Sequence, residues 1–220
     1  MELQILFILT ENNSILNYEK KYLLALLLFS LLISCGNSDN SNLLCDGKDY
    51  CFIFTSITTN DGDVDTNNDG NPITEADAIC NADSNKTNTA TYKALFVDGS
   101  NRQACSESNC ANTEEGRIDW PLRASMEYRQ TDGTTIIATT SIHGVFTFDI
   151  TNVFSSATDN SWTGLNDNFV THTVDCSNFN SNSGGASGAM GMHNDKTEDS
   201  IYGGDDTCSD LNRFICIEQP

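Results

Sequence analysis

Proline is nearly absent from this 220-residue chain, with three residues in all, and basic side chains are scarce. Eleven Lys and Arg stand against 31 Asp and Glu, a formal net charge of −20. A chain this acidic cannot hold nucleic acid through phosphate contacts, and it repels heparin-like polyanions and anionic lipid headgroups. It suits basic partners or divalent cations instead. The three histidines, His143, His172 and His193, are far apart, and no two cysteines are spaced C-x-x-C, so a zinc set is not in view. No G-x-S-x-G, H-E-x-x-H or P-loop pattern occurs, which speaks against an enzyme. Carboxylates are so common here that some pair is inevitable, so a pair diagnoses nothing. Each histidine is expected at a surface or turn, and Trp120 and Trp162 in the core.

Long apolar runs are missing as well. The longest, residues 22–33, has 12 residues with one serine, against about 20 for a membrane-spanning helix. It follows Lys20 and Lys21 and reads as the apolar region of a secretory leader. It ends in Leu32-Ile33-Ser34-Cys35, which looks like a bacterial lipobox, with cleavage before Cys35 and a diacylglyceryl group on its sulfur. The alternative is an ordinary leader that ends beside a chance cysteine. A leader beginning near Asn17 would have the usual length, so residues 1–16 fit as an early start or a long basic region. We set 1–34 aside as leader and read 35–48 as a lipidated polar tether, in which "GNSDNSN" (36–42) is flexible. Residues 49–220 form one domain. Without the leader's two Lys and three Glu the net charge is −19. The expected location is outside the cytoplasm, lipid-anchored, at the outer membrane or cell surface.

What the domain does have is cysteine and turn residues. Besides Cys35, eight cysteines remain: Cys45, Cys51, Cys80, Cys105, Cys110, Cys176, Cys208 and Cys216. An even number in an exported chain implies four disulfides, though eight cysteines allow 105 pairings and counting cannot choose among them. Asn, Asp, Ser, Thr and Gly abound, as they do in turns between short strands. "CFIFTSI" (51–57), "TYKALFVDG" (91–99), the alternating "GVFTFDI" (144–150) and "RFICIE" (213–218) read as strands. Two extended pieces flank a turn at Asp132-Gly133, and "SWTGL" (161–165) begins a short strand or turn. "ITEADAICNADS" (73–84) reads as a helix, with Thr74 as N-cap, acidic residues in its first turn and Ile73, Ala76, Ile79 and Cys80 near one face. Residues 181–200 are Gly/Ser-rich and read as a loop in which Met190 and Met192 pack. The fold class is α+β, with many short, mostly antiparallel strands, one main helix and long loops.

One loop invites a metal. In "DGDVDTNNDG" (61–70) Asp61, Asp63, Asp65, Asn67 and Asp69 alternate, as oxygen ligands do in a calcium loop. From Asp65 the order of Asp, Asn, Asp and Gly70 resembles an EF-hand loop, but Pro72 acts as an insertion that places Asp77 thirteenth rather than twelfth. The competing reading is a solvated acidic loop that leads into a helix. Otherwise no cofactor is expected.

Several segments resemble one family. "NPITEADAICNADSNKTNTATYKALFVDG" (71–99), "SWTGL", "DCSNF" (175–179), "GGASGAMG" (184–191) and "CSDLNRFICIE" (208–218) follow the order and spacing of the leptospiral endostatin-like surface lipoproteins, across about 150 residues. The resemblance implies a C-type-lectin-like, endostatin-like fold with nested bridges Cys80–Cys216 and Cys176–Cys208. Cys105–Cys110 and Cys45–Cys51 are then left as local pairs. It also implies an adhesin or host-factor-binding lipoprotein, with extracellular-matrix proteins such as laminin and fibronectin, complement regulators or plasminogen as partners. This chain departs from endostatin where that protein binds heparin and zinc: the clustered arginines and the N-terminal histidines have no counterpart here. The Glu-Pro-Asn and Trp-Asn-Asp motifs of sugar-binding lectins are missing too, and Asp205-Asp206 is only a faint echo. Alternative functions are a calcium-dependent carbohydrate-binding module and a structural envelope lipoprotein.

Overall fold

A computed structural model describes residues 45–112 and 115–220. The expected leader, the expected lipidation site Cys35 and the expected flexible stretch at 36–42 lie outside the described residues. In chain order the elements are β1 (Tyr50–Thr55), α1 (Pro72–Ala82), β2 (Tyr92–Ala94), β3 (Glu127–Arg129), β4 (Ile136–Thr139), β5 (Ser161–Trp162), a single helical turn α2 (Cys176–Phe179), β6 (Ser187–Gly191), β7 (Gly204–Thr207) and β8 (Ile215–Glu218). The architecture is mixed α+β: mostly strands, one main helix and four disulfides. No helix among the described residues is long and apolar enough to cross a membrane.

The larger sheet has the order β2-β8-β1-β3-β4, and the smaller one β5-β6-β7. Pairing is antiparallel except between β1 and β3. The central strands β1 and β8 are apolar at nearly every position because both of their faces are covered. Side chains alternate across a strand. Cys51 and Ile53 of β1 and Ile215 and Ile217 of β8 therefore point into one apolar cluster, with Tyr128, Phe146 and Phe169. Phe52, Phe54 and Cys216 point into the other, with Trp162, Phe179 and the buried face of α1.

Helix α1 begins one residue before the expected span, and its cap lies three positions ahead of Thr74. Asn71 is the N-cap residue and Pro72 the first helical position, where a missing N–H costs nothing. Thr74 is exposed inside the first turn instead of capping it. Ile73, Ala76 and Cys80 are buried at spacings of three and four, as the helical period requires. The disulfide Cys80–Cys216 then joins this helix to β8 across 136 positions, and Cys176–Cys208 closes a loop of 32. Cys45–Cys51 and Cys105–Cys110 are local, with separations of 6 and 5.

The helix is also held by a buried arginine. Arg102 has no exposed surface, and its guanidinium forms a fork onto Asp77, Nη1 and Nη2 each 2.8 Å from a carboxylate oxygen. It also donates to the carbonyls of Ala94 and Asp119, both at 2.9 Å, and to Asp119 Oδ2 at 2.5 Å. Asp119 pairs with Lys93 as well. Burial acts to raise the Asp119 carboxyl, but hydrogen bonds from Lys93 and Arg102 outweigh it and hold the group below its usual range.

Two expected elements differ. Residues 144–150 form no strand. Val145, Phe146 and Ile150 are buried, so the apolar pattern is real, but the segment folds through turns, with Gly144 N on Ser141 O at 3.0 Å and Ser141 N on Val145 O at 2.8 Å. Conversely, the Gly/Ser-rich stretch contains β6. Its small residues are needed there: a Cβ on Gly188 would stand 2.7 Å from Cys176 Sγ. In "SWTGL", Gly164 has φ +65, and a Cβ on it would fall 2.0 Å from the carbonyl oxygen of Val97. Only glycine fits both demands.

Candidate functional site

The Asp-rich loop divides into two parts. Asp65 is 1% exposed, and its two carboxylate oxygens accept from Asp69 N at 3.1 Å and Gly70 N at 2.8 Å. Asn67 Oδ1 accepts from Asp69 N at 2.8 Å, and Asp69 Oδ1 from Asn71 N at 2.9 Å. These bonds wrap the loop around its own backbone amides, and Gly70 takes the positive φ of +83 that the reversal needs. Asp61 and Asp63 stand apart from that turn. Asp61 Oδ1 accepts from Asp63 N at 3.0 Å, and Asp63 bridges to Asn180. Asp77 is turned to Arg102, and Glu75 instead reaches the loop, taking a bond from Asn67 Nδ2 at 2.5 Å. Among the described residues no three His, Cys, Asp or Glu side chains form a cluster that could hold a metal.

A second polar group was invisible in the sequence. His193 was expected at a surface or turn, yet it has no exposed area. Its Nδ1 lies 2.9 Å from Ser161 Oγ, and its Nε2 faces Asp159 Oδ1 at 3.6 Å. Asp159 in turn pairs with Arg213. Burial pushes the imidazole below its usual range; Asp159 opposes that shift and Arg213 adds to it. Serine, histidine and aspartate thus stand in a row, but Ser161 is fully buried in β5 and no substrate carbonyl can reach its oxygen. Chemically the row is a tie between β5, the segment after β6 and the entry to β8.

The open site lies elsewhere. A cleft of about 490 Å³ is formed by the 141–148 segment, residues 167–168, Asn109 and Glu198. Its wall at 141–148 is held from behind by side chains that bond to carbonyls. Trp120 Nε1 donates to Gly144 O at 2.8 Å, and the Arg117 guanidinium to His143 O at 2.5 Å. Phe148 is half-buried and stacks on buried Phe169, with ring centroids 6.0 Å apart and planes 8° from parallel. The Nδ1 atom of His143 is buried without a hydrogen-bond partner. Asp167 and Glu198 are exposed at the rim. Ile142, in the same wall segment, is 73% exposed. Aromatic surface and carboxylates equip the cleft to hold a ligand through charge and ring contact.

These features define a class: a small, disulfide-stapled α+β domain whose open cleft is built from loops. Residues 63–196 match a family described as a protein of unknown function, DUF1554. The match spans more than half of the chain, and the chain belongs to this family. It takes in the Asp-rich loop from Asp63 onward, α1 and most of the cleft, and it stops before Glu198 and the closing strand β8. No curated protein shows significant similarity to the chain.

Proposed function

We propose that this chain is an exported, lipid-anchored binding protein of the bacterial surface, built on a C-type-lectin-like scaffold of the endostatin type. Its partner is a protein met outside the cell, from the extracellular matrix or from plasma, that presents basic patches. The observation that supports this reading best is the combination of extreme acidity with a cleft on loops that a stapled core holds in place. Loops on a rigid scaffold are where binding surfaces usually lie. A net charge of −20 favours a partner that carries basic patches, and attraction between exposed charges weakens with salt.

The test is direct. The lipid-anchored protein, purified in detergent, is titrated onto immobilised laminin, fibronectin, plasminogen and a complement regulator, beside an unrelated anchored protein of equal net charge. At least one partner is expected to bind this chain about tenfold more tightly than the control and to lose it in half-molar salt. Binding no better than the control across the panel would remove the reading.

A further inference from the structure

The cleft at 141–148 offers two exposed carboxylates beside an aromatic face. Neither Asp167 nor Glu198 joins an ion pair among the described residues, and no Lys or Arg lines the cleft. The half-buried ring of Phe148 is fixed by its stack on Phe169. A cation over an aromatic face is attracted by the ring's negative centre. Two exposed carboxylates at one cleft attract a cation from solution. A neutral ligand would answer neither feature, and an anion would be repelled.

We propose that this cleft receives one cationic side chain, lysine or arginine, of a protein partner, with the ammonium or guanidinium between Asp167 and Glu198 and the aliphatic stem along Phe148. Exposed Ile142 beside the cleft gives the partner's neighbouring residues an apolar contact. The inference rests on the reading above that the partner carries basic patches, and it adds the place on this chain where one such basic residue is read.

The probes are three short acetylated, amidated peptides, Gly-Ser-X-Ser-Gly with X as lysine, arginine or norleucine. Binding to the anchored protein is followed by chemical-shift changes, which report millimolar affinities. The lysine and arginine peptides are expected to bind at the cleft and the norleucine peptide to bind at least tenfold more weakly. D167N/E198Q removes two exposed charges at the cleft and should weaken the cationic peptides at least tenfold. D49N/D210N removes two exposed charges from elsewhere and should stay within twofold of the native protein. Because all four residues are exposed, melting temperatures should be unchanged, which separates lost binding from lost folding. Equal weakening by the two double variants would mean diffuse charge attraction and overturn the proposal, as would equal binding of the norleucine peptide. If a panel protein binds while the peptides ignore the cleft, the cleft assignment falls and the broader reading stands. If the peptides fill the cleft and no panel protein binds, the assignment stands and that choice of partner falls.

Discussion

Replacing Cys80 and Cys216 together by alanine is expected to lower the unfolding free energy by about 5 kcal/mol. The bridge closes a loop of 136 positions, and in the chain-entropy treatment the restriction that a cross-link places on the unfolded chain grows with the logarithm of that length. Its position adds to the effect. Cys216 lies in β8, between β1 and β2, and Cys80 lies on the buried face of α1. A domain of this size has on the order of 5–15 kcal/mol of stability in all, so the variant should lose about a third of that stability or more. The comparison that isolates loop length is C45A/C51A, which opens a loop of only 6 and should lose about 2 kcal/mol. Urea unfolding without reductant measures both. Equal midpoint shifts for the two variants would contradict the argument.

The second large effect is expected at Arg102. R102M keeps the aliphatic stem but removes a guanidinium that makes hydrogen bonds to Asp77, Asp119 and two backbone carbonyls. Asp77 then loses its fork while Asp119 keeps its pair with Lys93, and the loss should be about 3 kcal/mol, at the lower end for a broken buried pair because both carboxylates keep some contact with water. R102K should not restore it, since an ammonium cannot reproduce the planar fork. A pH signature accompanies the loss. The folded-state pKa of Asp119 is depressed, so its contribution is complete above the unfolded value of about 3.9 and disappears as pH falls through the lower folded value. In R102M this acid-side slope should shrink. Unfolding midpoints measured from pH 2 to pH 7 check it, and a loss below about 1 kcal/mol at pH 7 would show that Arg102 is no anchor.

The local code of the fold was largely legible, and the long-range code was not. The apolar runs at 51–54 and 214–217 announce buried strands, the spacing of Ile73, Ala76 and Cys80 announces α1, and Asp132-Gly133 marks the turn between β3 and β4. Disulfide bonding followed from an even cysteine count together with the expectation of export. Residues 144–150 read as a strand because the alternation of Phe146, Phe148 and Ile150 with Thr147 and Asp149 is real. A strand also needs a partner edge, however, and sequence does not show whether one is free. β6 was hidden because close packing against Cys176 demands glycine there, and glycine reads as a loop. The burial of His193 depends on Ser161 and Asp159, and that of Arg102 on Asp77 and Asp119, all distant in sequence. The cleft draws on four separated stretches, around 109, 141–148, 167–168 and 198. None carries a motif, and only the folded chain brings them together. The Asp-rich loop was legible as a set of oxygen acceptors, and the structure shows those of Asp65, Asn67 and Asp69 serving the loop's own amides.

Everything proposed about function requires that the domain face the outside of the cell. Protease shaving of intact cells tests this directly, followed by immunodetection with antibody against residues 45–220 and with a periplasmic protein as the integrity control. The account predicts that protease depletes the chain from intact cells while the periplasmic control survives. A disulfide-stapled domain resists cleavage, so a protease site engineered into the polar 36–42 segment is cut in a parallel strain. Protection of that site until the outer membrane is permeabilised would contradict a role in binding host proteins.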